Sequence, residues 1–193
     1  MAVASDYEVV RDSLRSPAVF GEIFERHARP VYRYVRRRVG DDVASDLTAE
    51  VFTRAFRDRH RFDGRSESTL PWLLGIATNV VRMNARRERR RLRAYVRAAA
   101  SAPSPVSVVE VDARLDAQAL APVLAEALAA MPSRQRDVLL LYAWGELSAV
   151  EIATALAMAP GTVRSDLHRA CGFVEARLAT RASRVESDVE QMT

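Results

Sequence analysis

Lysine is absent from this chain: all 29 basic residues are arginine. A surface whose cations are all guanidinium groups is suited to bidentate contacts with phosphates and guanine edges. Cysteine occurs once, at Cys171, so no intramolecular disulfide can form and a reducing, cytoplasmic setting is expected. No apolar run approaches the roughly eighteen residues of a membrane span, and the first residues lack a secretory pattern, so membrane insertion is not expected. The three histidines, His27, His60 and His168, lie far apart, with no carboxylate pair or glycine-rich phosphate loop beside them. Catalysis therefore finds no constellation, and neither an enzyme nor a cofactor is expected. His168 and Cys171 sit three apart, but two ligands do not make a metal site. Seven glycines and an aromatic content of 7%, set against abundant Ala, Arg and Leu, favour an all-α protein.

The net charge of +4 hides an asymmetry. Residues 1–100 carry 21 Arg against 13 acids, a net +8, while residues 101–193 carry 8 Arg against 12 acids, a net −4. Such a split argues for two functional halves, the first facing a polyanion.

Residues 1–15 read as a loosely held, flexible terminus. From Pro17 the positions Phe20, Ile23, Phe24, Ala28, Val31, Tyr34, Val35 and Val39 keep a helical period, with Pro30 expected to kink or split it. Gly40 ends that helix, and Asp41-Asp42 open a second one to about Arg61, with Val43, Leu47, Val51, Phe52, Ala55 and Phe56 turned inward. FDGRSEST, residues 62–69, is a polar loop, after which Pro71 restarts a helix that runs into an arginine-dense end. Residues 99–111, rich in Pro and Ser, form a linker. Helices return over 112–131 and again from Ser133, the expected N-cap. The expected architecture is two small helical domains, 16–98 and 112–182, joined by that flexible linker and followed by a frayed tail over 183–193.

Within the second domain, GELSAVEIATALAMAPGTVRSDLHR, residues 145–169, reads as a helix-turn-helix. Ser148 and Glu151 form a capping box, with Leu147 and Ile152 as its hydrophobic staple. The first helix runs to about Leu156, and Pro160 suits the first position of the next. Val163, Leu167, Ala170, Val174 and Leu178 give that helix a buried stripe, leaving Arg164, Ser165, His168 and Arg169 on another face. A cationic outer face on the second helix of such a pair is the geometry that enters a DNA major groove.

Three further patterns stand in the first domain. Residues 82–97 hold eight arginines against Glu88 alone, a density that calls for phosphates to neutralise it. Such charge gives affinity without sequence choice. The loop 62–69 beside Trp72, followed by Asn79, would suit an unstacked base, although a tryptophan at helical spacing also serves as core. Asp42, Asp46 and Glu50 make an acidic stripe that either docks a partner's arginines or is a solvated face balanced by Arg54 and Arg57.

These segments together resemble a bacterial sigma factor of the extracytoplasmic-function group, the minimal members of the sigma-70 family. The resemblance runs from about Phe20 to Leu178. It rests on DDVASDLTAEVFTRAF, on FDGR followed by PWLLGIATNVVR, and on LAAMPSRQRDVLLL with the helix-turn-helix behind it. It implies a first domain that binds the β′ clamp helices of core RNA polymerase and melts the −10 element of promoter DNA. The second domain, by the same resemblance, reads the −35 element as duplex and touches the β flap. Carried over by position, Asp42, Asp46, Glu50 and Phe52 would bind core polymerase. Phe62, Arg65, Ser66, Trp72, Asn79, Arg82, Arg86, Arg87 and Arg90 would meet the −10 element, and Arg164, Ser165, His168 and Arg169 the −35 element. An anti-sigma factor is a further partner the family implies.

Two departures from the family pattern bear on the second domain. Asp166 stands where a basic residue is common, and as an anion beside phosphates it is expected to weaken binding. Ala157 occupies a turn position often held by Gly or a small polar residue. The rival reading, a stand-alone helix-turn-helix regulator of duplex operators, accounts for 145–169 but leaves 41–97 without a role.

Overall fold

The computed structural model describes residues 4–64, 66–99 and 117–191. The elements are α1 (Asp6–Ser13), a 3₁₀ turn (Pro17–Phe20), α2 (Gly21–Val39), α3 (Asp41–Asp58) and a second 3₁₀ turn (Arg59–Arg61). They continue with α4 (Leu70–Ala99), α5 (Ala117–Ala130), α6 (Ser133–Ala143), α7 (Ala149–Leu156) and α8 (Pro160–Gln191). Every regular element among the described residues is helical, as the composition predicts. The chain forms two compact units, the first built on α1–α4 and the second centred on α5, α6 and α8. The expected linker, 99–111, falls almost wholly outside the described residues.

In the first unit α2, α3 and α4 pack against one another in pairs. Their shared core holds Ile23, Val31 and Val35 of α2, Leu47, Val51 and Ala55 of α3, and Leu73, Leu74, Ala77 and Val80 of α4. One polar chain crosses it. Arg38 donates to the Tyr34 hydroxyl at 2.9 Å, Tyr34 lies 2.8 Å from the Thr78 hydroxyl, and Thr78 donates to the Leu74 carbonyl at 2.9 Å. Because arginine only donates, the protons run one way, from Arg38 through Tyr34 to Thr78, and each buried hydroxyl is satisfied. Pro30 does not split α2, which is continuous from Gly21 to Val39. Burial of Ile23 on one side of it and Val31, Tyr34 and Val35 on the other outweighs the one lost helical hydrogen bond. Gly40 joins α2 to α3 at φ 78° and ψ 178°, a region open in practice to glycine alone.

The described part of the first fifteen residues, from Ala4 onward, is not loosely held. Ser5 and Glu8 close a capping box at the start of α1, and Val9 and Val10 are buried. Asp6, itself only 7% exposed, accepts from the Thr69 N–H at 2.8 Å and the Thr69 hydroxyl at 2.9 Å. It also accepts from Arg26 Nη1 at 3.0 Å, and lies 2.6 Å from His27 Nε2. Burial alone would push this carboxyl up, but the Thr69 N–H, the charge of the His27 ring and the Arg26 hydrogen bond prevail. They hold it at about 2, below its ordinary 3.8. A carboxyl depressed on folding stabilises the native state above its unfolded pKa and loses that contribution as pH falls through the folded one. Asp6→Asn is therefore expected to cost about 2 kcal/mol at pH 6 and almost nothing near pH 2, read from paired urea unfolding curves.

In the second unit α8 packs on α5 and α6 around Leu128, Met131, Val138, Leu141, Val163 and Ala170. The N-cap of α6 is Pro132, with Ser133 as the first helical residue, so the expected Ser133 cap is not made. The tail expected to fray over 183–193 is helical as far as Gln191, since no Gly or Pro follows Gly172 to stop α8.

Candidate nucleic-acid and partner surfaces

On α3 the acidic stripe faces outward. Asp42 and Asp46 are exposed, and Glu50, partly buried, accepts from Arg54 Nη2 at 2.5 Å. Phe52, placed with them by the resemblance, is buried at 7% exposure, as its helical period implies, and meets Phe24 edge-on, ring centroids 4.9 Å apart. Its position points it toward α2, so Phe52 supports this surface from beneath. The apolar groups that do reach solvent are Phe24, 49% exposed, and Phe56, 37% exposed. Phe56 meets Phe20 edge-on at 5.4 Å and carries the Arg59 guanidinium 3.9 Å above its ring. The expectation that Phe56 turns inward fails for that reason. At about 100° per residue, the exposed arc of α3 runs from Phe56 past Ala49 and Thr53 to Asp46 and Glu50. An apolar margin beside carboxylates is a surface for a partner with apolar and cationic groups.

The loop 62–69 and α4 form a second surface. The half-buried Phe62 and Trp72 rings lie 5.3 Å apart with planes inclined at 43°. Asn79 projects to solvent although its neighbours Thr78 and Val80 are buried. Trp72, Asn79 and Arg86 recur every seven residues, and Arg82 and Arg90 fill the adjoining turns, so the five form one stripe about 27 Å long. Arg86, Arg87 and Arg90 are exposed, while Arg82 and Ser66 are partly buried. Arg65 lies outside the described residues. The arrangement pairs an aromatic platform with an exposed amide and a cationic track behind them. Aromatic faces stack bases, amides bond base edges and arginines follow phosphates.

The helix-turn-helix forms as its sequence implies. The Ser148 hydroxyl accepts from the Glu151 N–H at 3.3 Å, and the Glu151 carboxylate accepts from the Ser148 N–H at 2.8 Å. Leu147 and Ile152 are buried over this turn, α7 ends at Leu156 and α8 begins at Pro160. Arg164, Ser165, His168 and Arg169 are all exposed on α8. In the turn, Ala157 holds φ 52°, where a Cβ crowds the following carbonyl. Ala157→Gly is expected to raise stability by about 0.5–1 kcal/mol, seen as a higher urea midpoint with an unchanged slope.

Asp166 is not an anion facing phosphates. It is fully buried and accepts from Arg134 Nε at 2.6 Å and Nη2 at 3.1 Å, with Arg169 Nη1 at 3.7 Å. The spacing 163, 166, 170 places it within the buried stripe of α8. In that place it holds two guanidinium groups beside the exposed face of α8. Arg134, with a side chain 58% exposed, thus joins that face from α6, a contribution that sequence spacing did not reveal.

Residues 23–91 match the family model of Sigma-70 region 2, and residues 123–173 that of Sigma-70 region 4. The chain is 35% identical over 170 residues to the ECF RNA polymerase sigma factor SigE of Mycolicibacterium smegmatis, spanning 84% of this chain and 62% of that protein. It is 29% identical over 154 residues to the ECF RNA polymerase sigma factor SigL of Mycobacterium tuberculosis, spanning 79% of this chain and 85% of that one. The chain belongs to the sigma-70 family, in its extracytoplasmic-function group. Solved structures share the fold of this sigma factor. CnrH, in complex with the cytosolic domain of CnrY, aligns with a TM-score of 0.62 at 20% identity over 92% of this chain and 99% of that one. The sigma factor RpoE of Bartonella quintana, in complex with the anti-sigma factor NepR, aligns at 0.60 and 20% identity over 83% and 96%. The region 2 match takes in the α3 face and the α4 stripe, and the region 4 match takes in the helix-turn-helix. No helix among the described residues of this sigma factor is long and apolar enough to cross a membrane.

Proposed function

We propose that the chain directs core RNA polymerase to specific promoters and opens them, working in the cytoplasm and making or breaking no covalent bond itself. In this reading the exposed face of α3, Asp42, Asp46 and Glu50 with the Phe24–Phe56 margin, docks on the β′ clamp helices. The Phe62–Trp72 pair and Asn79 receive a base extruded from the −10 element, while Arg82, Arg86, Arg87 and Arg90 follow the phosphates. Arg65 and Ser66 of the loop border the same site. Arg164, Ser165, His168 and Arg169 read the −35 element, and the second unit also meets the β flap. Each unit alone binds weakly, and polymerase holding both raises the effective concentration of one when the other is bound. Unstacking a base costs a few kcal/mol, which the aromatic pair and the amide must return. An anti-sigma factor that covers either DNA-facing surface is the natural restraint, as the complexes of the structural neighbours suggest.

The observation that carries this reading is the α4 stripe. A regulator of duplex operators needs the helix-turn-helix alone and has no use for an aromatic pair, an exposed amide and a cationic track on a separate unit. The test is run-off transcription with sigma-free core polymerase over a library of promoter fragments. Discrete transcripts starting a fixed distance from a shared −10 motif are expected. Duplex binding without any transcript would favour the stand-alone regulator. Within the same assay, Asp46→Arg with Glu50→Arg should weaken core affinity by about a hundredfold or more, since like charges at an interface cost several kcal/mol. Both side chains reach solvent, so the unfolding midpoint should hold; unchanged core affinity would remove them from the interface.

A further inference from the structure

We propose that α1, which lies before the region 2 match, is a clasp that fixes the base-capturing loop 62–69, with Asp6 and Tyr7 as its positioning residues. The proposal rests on the reading of that loop as part of the −10 site.

The clasp grips the loop at two points. At its far end Asp6 takes three hydrogen bonds from consecutive residues: Ser68 Oγ at 3.4 Å, the Thr69 N–H at 2.8 Å and the Thr69 hydroxyl at 2.9 Å. Thr69 is fully buried and leads directly into α4, its carbonyl accepting from the Leu73 N–H at 2.9 Å. Ser68 Oγ in turn accepts from the Leu70 N–H at 3.1 Å, so the same contacts set where the helix begins. At the near end the Tyr7 ring lies on Gly64, so closely that a Cβ there would come within 2.3 Å of Tyr7 Cδ2. Gly64 also holds φ 68°, so the backbone at this point is fixed in a turn that glycine tolerates.

The clasp is itself anchored. Arg26 and His27 of α2 hold the Asp6 carboxylate from the other side, and Arg26 also donates to the Ala4 carbonyl at 2.8 Å. Ser5 and Glu8 cap the helix that presents both residues. A single carboxylate therefore ties α1, α2 and the start of α4 together, and the loop between α3 and α4 closes over that tie. Tyr7 remains 44% exposed, more than a ring buried for stability alone would be. The loop carries Phe62 and Ser66, and the first turn of α4 carries Trp72. An error of an ångström in the loop's placement displaces one wall of the base site relative to Asn79.

The test uses the full chain with core polymerase on a promoter fragment from which the wild type gives a run-off transcript, with 2-aminopurine placed in the −10 element. Failure of the wild type to give a transcript would reject the functional reading; the comparison below judges the clasp only once that reading stands. Tyr7→Ala and Thr69→Val should each lower the rise in 2-aminopurine fluorescence by about tenfold in rate. Core affinity and binding to −35 duplex should stay within about twofold of wild type, because neither Tyr7 nor Thr69 belongs to either of those proposed surfaces. Tyr7→Phe, which keeps the ring, and Thr69→Ser, which keeps the hydroxyl, should restore opening. Opening at the wild-type rate in both Tyr7→Ala and Thr69→Val overturns the proposal. So does a loss of opening matched by an equal loss of core affinity, which would mark α1 as mere support for the fold.

Discussion

Asp166→Arg is expected to unfold the second unit, and DNA binding should fail with it. The position is fully buried, and the carboxylate there receives two hydrogen bonds from Arg134 with a second guanidinium, that of Arg169, at 3.7 Å. Reversing the charge would leave three guanidinium groups converging on a position with no solvent exposure. Breaking a buried pair from one side costs about 3–5 kcal/mol. The Arg134 side chain is more than half exposed and can return its charge to solvent, so most of the penalty falls on the incoming cation. Against a total stability of about 5–15 kcal/mol, a loss of that size populates the unfolded unit. Asp166→Asn, which keeps the shape and one acceptor, should cost less, about 1–3 kcal/mol. Hydrogen exchange resolves the two units, and α8 amides should lose protection in Asp166→Arg while α2 and α3 keep theirs. An arginine variant that folds with wild-type protection and binds DNA more tightly would return Asp166 to the surface.

The second unit shows how far a one-dimensional reading carries. Its capping box, its helix-starting proline and its exposed Arg164, Ser165, His168 and Arg169 were legible because each depends on neighbours within four residues. Asp166 defies a local reading because polarity and spacing disagree there: position 166 falls on the buried stripe, and only a partner 32 residues away makes a carboxylate tolerable. The same holds for the first unit. Ser5-Asp6-Tyr7-Glu8 repeats the S-x-x-E pattern that marked α7, and Val3, Tyr7, Val10 and Leu14 recur at four- and three-residue steps, so a helix was legible there although its anchorage was not. Its stability comes from Asp6 reaching residues 20 to 63 positions away, which no local pattern encodes. The aromatic rings failed differently. Helical periodicity turns Phe24, Phe52 and Phe56 all inward, and the packing of α2 on α3 buries only Phe52; the reading of Phe52 as a partner contact came from the resemblance.

Asn79→Ala should separate promoter opening from promoter binding. Asn79 is exposed between two buried residues, so its side chain does no packing and its loss should change stability by no more than about 0.5 kcal/mol. It stands two turns along α4 from Trp72 on the same stripe, where an amide offers both a donor and an acceptor to a base edge. Duplex DNA does not present the Watson–Crick edge, since a paired base already spends it on its partner; only an extruded base offers that edge. The contact is therefore absent from the closed complex and gained on opening. Its removal should cost about 1–3 kcal/mol, a factor of roughly 5 to 150 in the opening equilibrium. Closed-complex footprints at low temperature should match wild type, and permanganate reactivity of −10 thymines should fall by that factor. Asn79→Asp, which keeps an acceptor but loses both donors, should discriminate further: partial opening on some −10 sequences and none on others would mark the amide as a reader of base identity. Equal permanganate reactivity in Asn79→Ala and wild type would take Asn79 out of the base site and leave the aromatic pair to hold the base by stacking alone.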